Sequence, residues 1–330
     1  MNLSKFKIFI AIVTLFLIGA LVINHQVILI RFASLFIDDT NPLEKSEIKR
    51  ILEKNDLHEF REYLELNGSN INKYLVLKIV TNENPQFLEI LIKDFQYDIN
   101  IGCESDGNTI LKMVAELHHV RSVKRLLDYG ARVNCNDFDN PILIASISSI
   151  YYGSMPRVYE TAKLLIENGA DVNAVSKSIV ERTVFQEALA SENHGLIELL
   201  LKSGVDLSYR TQHGSNYYFF VSDSYTLNLL LKNQLNINQV RSDGRSPLQS
   251  FLSTSYFTVE DYKNIIDYGV DLCYQDNEGR NILFYAKRRE IKYLKNPNDL
   301  PREDDLKEIM SSEVYKYIEA EFNRECIEPG

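Results

Sequence analysis

A chain of 330 residues with 45% hydrophobic and 25% charged residues can bury a core, which excludes a disordered polypeptide. Its formal net charge of −10, with no basic block, excludes a nucleic-acid partner and a polybasic hold on anionic lipid. The four cysteines, Cys103, Cys135, Cys273 and Cys326, lie far apart without a CxxC or Cys/His spacing, so neither a zinc site nor a disulfide scaffold is indicated, and their number does not set the redox compartment.

The N-terminus opens with Lys5, Phe6 and Lys7, followed by an apolar run from Ile8 to Ile23 that only the polar Thr14 interrupts. Asn24, His25 and Gln26 separate it from Val27–Ile30, and Arg31 closes the segment. Residues 6–30 have roughly the length that crosses a hydrocarbon core of about 30 Å. A cleaved signal peptide is the competing reading, but bulky Ile18 stands where cleavage before Leu21 needs a small residue, so an uncleaved signal anchor is favoured. Lys5 and Lys7 precede the run, whereas Arg31 is soon followed by Asp38, Asp39 and Glu44. The expectation is a single-pass protein of a bacterial inner membrane, N-terminus cytoplasmic and the remainder periplasmic.

From residue 44 onward one signature recurs: an amphipathic Leu/Ile-rich stretch, a helix-stopping Gly or Asn, then a pair ending in Asn. It is clearest at Leu126–Asn134 and Leu164–Asn173, and is present at Tyr63–Asn72. Weaker copies lie at Leu199–Leu207, Leu229–Asn238 and Ile265–Leu272, and Leu91–Asn100 lacks the glycine. The copies are spaced by roughly 28 to 39 residues, the mark of a repeat architecture. The glycine supplies the left-handed conformation that ends a helix, and the leucines at i and i+4 form a face that a neighbouring unit must bury. Asp106–Leu111 and Asp243–Leu248 read as a turn and a helix start, with Thr109 and Ser246 as N-caps and Pro247 in the first turn.

These residues resemble the ankyrin-repeat family, whose unit is a DGxTPLHxAA turn and helix followed by a second helix ending in LLxxGADVN. Asp171-Val172-Asn173 after Gly169-Ala170 matches it residue for residue. The resemblance implies an all-α solenoid of helix-turn-helix units with hairpin turns, preceded by one transmembrane helix. The expected organisation is an anchor at 1–31, a linker at 32–43, about seven repeats over 44–290, and a C-terminal helical cap and tail at 291–330, with the cap helix at Asp304–Phe322. Lys112, Gln186 and Gln249 occupy the place of the family's TPLH histidine, which predicts less regular inter-repeat turns. An insertion at Ile150–Pro156 and a short unit at Tyr209–Asn238, whose first helix is the block Tyr217–Phe220, are further departures.

Nothing in the sequence suggests catalysis. His118, His119 and His194 align with turns between helices, where a backbone-bonding role is favoured over a catalytic or metal one, and no GxSxG or phosphate-binding loop is present. No cofactor, metal or small-molecule substrate is expected. Cys103 and Cys135, four residues before Gly107 and Asp139, take equivalent places in successive repeats about 10 Å apart, beyond unstrained disulfide reach, and are expected to be free thiols. A Cys273–Cys326 bond is possible.

By the resemblance, a protein partner contacts the concave face and the hairpin tips. Those tips carry Ser105, Asp106 and Asn108; Asp137, Phe138 and Asn140; Gln212, His213 and Ser215; Asp243 and Arg245; and Glu278 and Arg280. Phe138 is the aromatic anchor among them. Tyr151, Tyr152, Tyr256 and Phe257 are expected to be packing caps in helix-to-helix turns. The functional expectation is a membrane-tethered, periplasm-facing interaction module, an immunity or inhibitor protein binding a toxic effector or partner enzyme. Its alternative is a scaffold stabilising a membrane or periplasmic enzyme, and a weaker third reading is a translocated effector.

Overall fold

The computed structural model describes residues 42–67, 71–135, 140–148, 155–177, 181–254, 257–294 and 312–327. The expected anchor at 1–31 and most of the linker lie outside the described residues. Among the described residues no helix is long and apolar enough to cross a membrane. The chain divides into two compact units, residues 1–79 and 80–330.

In the first unit, α1 (Pro42–Lys54) packs against α2 (Leu57–Asn67), and α3 begins at Lys73 and runs to Thr81. Asn55, in the left-handed region at φ 56°, turns the chain between α1 and α2. Asp56 caps α2 by accepting the amides of His58 and Glu59, each at 3.0 Å. Ile48, Ile51, Phe60 and Leu64 are buried, following the i, i+3, i+4 spacing of one face on each helix.

The second unit is two layers of helices. The first helices of successive repeats are α5 (Ile110–Glu116), α7 (Ile142–Ser148), α9 (Val184–Ala190), a 3₁₀ turn (Tyr217–Phe220), α12 (Pro247–Thr254) and α14 (Ile282–Leu294), each packed on the next. The second layer is α6 (Val120–Asp128), α8 (Met155–Glu167), α10 (His194–Lys202), α11 (Ser224–Lys232), α13 (Val259–Asp267) and α15 (Glu313–Phe322). A further helix, α4 (Gln86–Lys93), precedes them. The leucine signature has its cause here: Val123 and Leu126, Leu196 and Leu200, and Leu227 and Leu230 are all fully buried between layers. Each such side chain is worth about 1.5–3 kcal/mol. Of the insertion, Met155 and Pro156 form the first turn of α8. The expected cap at Asp304–Phe322 is described only from Ser312, which caps α15.

The turn that closes each repeat gives its polar side chains two distinct jobs. Asp171 accepts the amide of Asn173 at 2.9 Å and closes its own turn. The asparagine of one repeat then reaches the backbone of the next. Asn134 donates to Gly169 O (2.7 Å) and accepts from Asp171 N (3.1 Å), and Asn238 does the same to Gly269 O (2.9 Å) and Asp271 N (2.8 Å). Asn100 and Asn173 accept the amides of Arg132 and Asp206. Where Ser208 stands in place of asparagine, the Arg210 guanidinium crosses instead to Gln239 Oε1 at 3.3 Å. Thr109 and Ser246 cap their helices as expected. Gln249 fills the place of the missing histidine with bonds to two turns. Its Oε1 accepts Ser246 N (3.0 Å) while its Nε2 donates to Arg280 O (3.1 Å) in the next turn. Gln186 closes a capping box with Thr183.

The free-thiol expectation is overturned. Cys103 and Cys135 form a disulfide with Cα atoms 4.6 Å apart, and Cys273 and Cys326 form a second at 5.4 Å. The 10 Å repeat spacing fails because the loop after Asn100 is longer than the one after Asn134 by two residues. Asn100 to Ile110 takes ten steps, Asn134 to Ile142 eight. The surplus coils back through Gly102 at φ 96°, closed by Gly107 N to Gly102 O at 2.8 Å, and carries Cys103 to its partner. A Cβ at 102 would lie 2.8 Å from Asn108 O, so only glycine fits this return.

In the last hairpin Asp276, with its side chain 1% exposed, accepts the Tyr285 hydroxyl, Arg280 Nε (2.7 Å) and the amides of Glu278 (2.9 Å) and Arg280 (3.0 Å). Burial pushes its pKa up, but these bonds outweigh it and hold the carboxyl well below its ordinary 3.8.

Replacing both Cys103 and Cys135 by serine, which opens a loop of 32 residues, is expected to lower unfolding stability by about 3 kcal/mol in urea titration. Asp276→Asn is expected to cost about 2 kcal/mol at pH 7. Because the folded pKa is depressed, the carboxylate's contribution is present above about pH 4 and disappears as pH falls through the folded value. Titrating stability downward from pH 5 should therefore show a steeper loss in the parent chain than in the variant.

Candidate protein-binding surface

Three consecutive hairpins, 211–215, 241–245 and 276–280, share one backbone design. In each, the first residue donates to the fifth residue's carbonyl (3.1, 3.0 and 3.1 Å), and the glycine amide returns to the first residue's carbonyl (2.8, 2.9 and 2.9 Å). The tips are laced together: Ser242 N donates to His213 O at 2.9 Å, Asn277 Nδ2 to Ser242 O at 3.4 Å, and the Tyr274 hydroxyl to Gly244 O at 2.7 Å. Gly244 sits at φ 78°, and a Cβ there would meet Asn277 within 2.3–2.7 Å, so the tips approach at backbone contact distance.

Gln212, His213, Asp243, Arg245, Glu278 and Arg280 are thus brought onto one rigid row. Ser215 is buried; its amide donates to Thr211 Oγ1 at 3.1 Å, so it shapes the tip and does not face outward. Asp243 accepts both Nε and Nη2 of Arg241 together with the Arg245 amide, and the bond from Arg241 leads the causes that lower its pKa to about 2. Arg280 is spent on Asp276 and on Glu278, which it meets at 2.6 Å. The charge at these tips is therefore largely paired within the row. Glu278 keeps 68% of its side chain exposed despite its bond.

Ser105, Asp106 and Asn108 belong to the longer loop beside the Cys103–Cys135 bond, where Asp106 accepts the Asn108 amide at 3.1 Å. Asn140 is half-buried at the start of the next helix. Asp137 and the expected anchor Phe138 lie outside the described residues, as do Tyr151, Tyr152 and Tyr256. Phe257 is buried, packed edge-on against Phe251 at 5.0 Å.

Sequence reasoning missed the aromatic and arginine pairs behind the tips. The Arg241 guanidinium lies over Phe219 (5.4 Å), and Arg280 over Phe284 (5.2 Å) and Tyr285 (5.6 Å). Phe220 and Phe284 remain 38% and 41% exposed. The signal was available in the block Tyr217–Phe220, which holds four aromatics where a helix of the repeat needs two. Tyr217 and Tyr218 are its buried pair; burial pushes the Tyr217 hydroxyl up to about 12, against the opposing bond to Thr183.

The histidines divide. His118 is buried at a turn with φ 52°, and His119 bonds the Ser122 hydroxyl at 2.7 Å; burial, then Arg121 and Arg125, lower its pKa. His194 departs from the backbone-bonding expectation, since its Nε2 meets Asp223 Oδ1 at 3.1 Å in the next repeat. Among the described residues no cluster of three His, Cys, Asp or Glu side chains could hold a metal ion.

The family model of ankyrin repeats, three copies, matches residues 76–176. An ankyrin repeat protein of fowlpox virus is 27% identical over 163 residues, 47% of this chain and 35% of that protein. One of Acanthamoeba polyphaga mimivirus is 24% identical over 257 residues, 66% of this chain and 33% of that protein. The matches thus span about a third of the length of these relatives. Among solved structures, the human ASB11 ankyrin repeat domain superposes with a TM-score of 0.50 at 18% identity, covering 74% of this chain and 96% of that domain, a likeness of fold. The chain thus carries ankyrin repeats over residues 76–176, and the asparagine ladder and paired helix layers continue the same helical solenoid fold through the described residues that follow.

Proposed function

We propose that this ankyrin-repeat interaction module is held at a membrane outside the cytoplasm, where it binds and restrains a partner protein in the manner of an immunity or inhibitor protein. Ankyrin repeats are typically non-catalytic, and the laced hairpin row suits binding, because a surface already rigid loses little conformational freedom on association. The observation that carries the compartment is the pairing of all four cysteines: the two disulfides leave no free thiol. Such bonds persist in oxidising compartments and are reduced in most cytosols. The apolar run at residues 6–30 supplies the tether, and the basic residues ahead of it set its orientation.

A reporter active only outside the cytoplasm, fused after Gly330, is expected to be active in the membrane fraction, and cysteine alkylation of the native chain to require prior reduction. An inactive reporter with four freely alkylated thiols would place the repeats in the cytoplasm and defeat the compartment reading. For the binding surface, Gln212→Arg with Glu278→Arg should reduce capture of the co-purifying protein at least tenfold with an unchanged circular dichroism spectrum. Undiminished capture would move the binding site off the hairpin row.

A further inference from the structure

At the far ends of the second-layer helices from the hairpins lies a second, chemically different surface. Met155 opens α8 and is 43% exposed, and Tyr159 follows one turn later, half-buried. In the next repeat the Tyr159 ring lies beside Gly195, 3.5 Å from where a Cβ would stand, and Asn193 Nδ2 reaches Met155 O at 3.4 Å. His194 then stacks on Tyr225 of the repeat after, ring centroids 4.4 Å apart and tilted by 30°. Tyr225 is 44% exposed and the His194 side chain likewise 44%. Three successive repeats therefore present one continuous stripe of Met, Tyr, His and Tyr.

Carboxylates border the stripe. The Tyr225 hydroxyl donates to Glu198, which also receives Lys202 Nζ at 3.2 Å, and His194 Nε2 meets Asp223. These contacts do not need the rings to be exposed: Asn193 and Asp223 already cap α10 and α11, accepting Leu196 N at 3.1 Å and Thr226 N at 2.9 Å. A solvated helix start is complete with its cap. The aromatic faces are additional, and exposed Tyr and Met beside fixed carboxylates form the surface on which a guanidinium or ammonium group is held, by the ring face from below and by charge from the side.

We infer that the Met155–Tyr159–His194–Tyr225 edge docks an arginine- or lysine-bearing segment of a protein partner, with a cation over a tyrosine ring and the carboxylates of Glu198 and Asp223 beside it. Charge complementarity selects this occupant, since the chain carries a formal net charge of −10 and so steers basic surfaces toward itself. The inference is independent of the hairpin row, which sits at the other end of the same helices.

The test uses the full chain, a fluorescein-labelled peptide of four Arg-Ser repeats, and a Gly-Ser peptide of equal length, read by fluorescence anisotropy at 150 mM salt. The basic peptide is expected to bind and the neutral one not. Tyr159→Ala with Tyr225→Ala, which leaves the net charge unchanged, should weaken binding at least tenfold, and Tyr225→Phe, which keeps the ring, less than threefold. Circular dichroism checks the fold, and the exposed single change Tyr225→Ala serves if the double variant is destabilised. Equal binding by the parent and alanine variants would overturn the inference in favour of unspecific attraction to an acidic chain. Parent self-association abolished by the same variants would overturn it in favour of a second copy as occupant.

Discussion

The stack depends on a side-chain amide that both donates and accepts. Each hairpin leaves backbone carbonyls and amides at the edge of its repeat, where no helix supplies a partner, and unpaired groups there would be costly once the next repeat covers them. Asparagine alone among small side chains offers an N–H and a C=O from one short stem, so Asn134 and Asn238 each close two bonds to the following turn. Aspartate could only accept, and serine reaches too little. A repeat protein is a chain of nearest-neighbour junctions, and each junction needs its own such bridge.

The exception shows how strong the requirement is. At Ser208 the amide is missing, the following unit is short, and its first helix shrinks to the 3₁₀ turn Tyr217–Phe220. The junction is rebuilt from larger pieces. Arg210 spans to Gln239, Asn216 Nδ2 bonds Asn236 O at 3.0 Å, and the Tyr218 hydroxyl bonds Leu235 O at 3.0 Å. Aromatic rings fill the volume that a longer helix would occupy: Phe185 meets Tyr217 at 4.8 Å, Tyr218 meets Phe251 at 6.2 Å, and Phe251 meets Phe257 at 5.0 Å. Edge-to-face contacts of this kind add to the area they bury.

Much of this was legible in the residues. Leucine spacing and the terminal glycines located the second helices, because a 3.6-residue period and a left-handed stop are local properties of the chain. Gln96 at φ 52° and Gln234 at φ 58° stand in the two copies that lack glycine, Leu91–Asn100 and Leu229–Asn238, and there the backbone takes the same conformation at some strain. The disulfide at Cys103 was not legible, because it depends on how two surplus loop residues coil, a matter of tertiary closure. At 249 the regularity expected to be lost with the TPLH histidine is retained, because the glutamine makes bonds to both turns. At the candidate surface, the tips were found by register, but Ser215 proved inward-facing and the Arg-aromatic pairs behind the tips were invisible. A pattern gives position along a turn, while pairing across repeats depends on which long side chains meet.

The two disulfides sit where the ladder is least able to support itself. Cys273 occupies the position that asparagine holds at Asn134, Asn173 and Asn238, and among the described residues no hairpin of the shared design follows 276–280. There the amide bridge gives way to a covalent one, tying the repeat to the turn after α15. Cys103 lies in the lengthened loop and is tied there to Cys135 of the next repeat. Each bond ties a loop between helices, the class of structure that opens most readily, to a neighbouring segment. The internal ion pairs of the tips act in the same direction, since Arg241 with Asp243 and Arg280 with Asp276 hold the row in place but leave fewer free charges to offer. What the hairpin row offers is therefore chiefly shape, with Phe220, Phe284 and Glu278 exposed on it, whereas the opposite helix ends carry aromatic faces bordered by the carboxylates of Glu198 and Asp223. A solenoid stiffened in this way offers a pre-ordered surface at each end of its helices, and the two differ in the chemistry they can recognise.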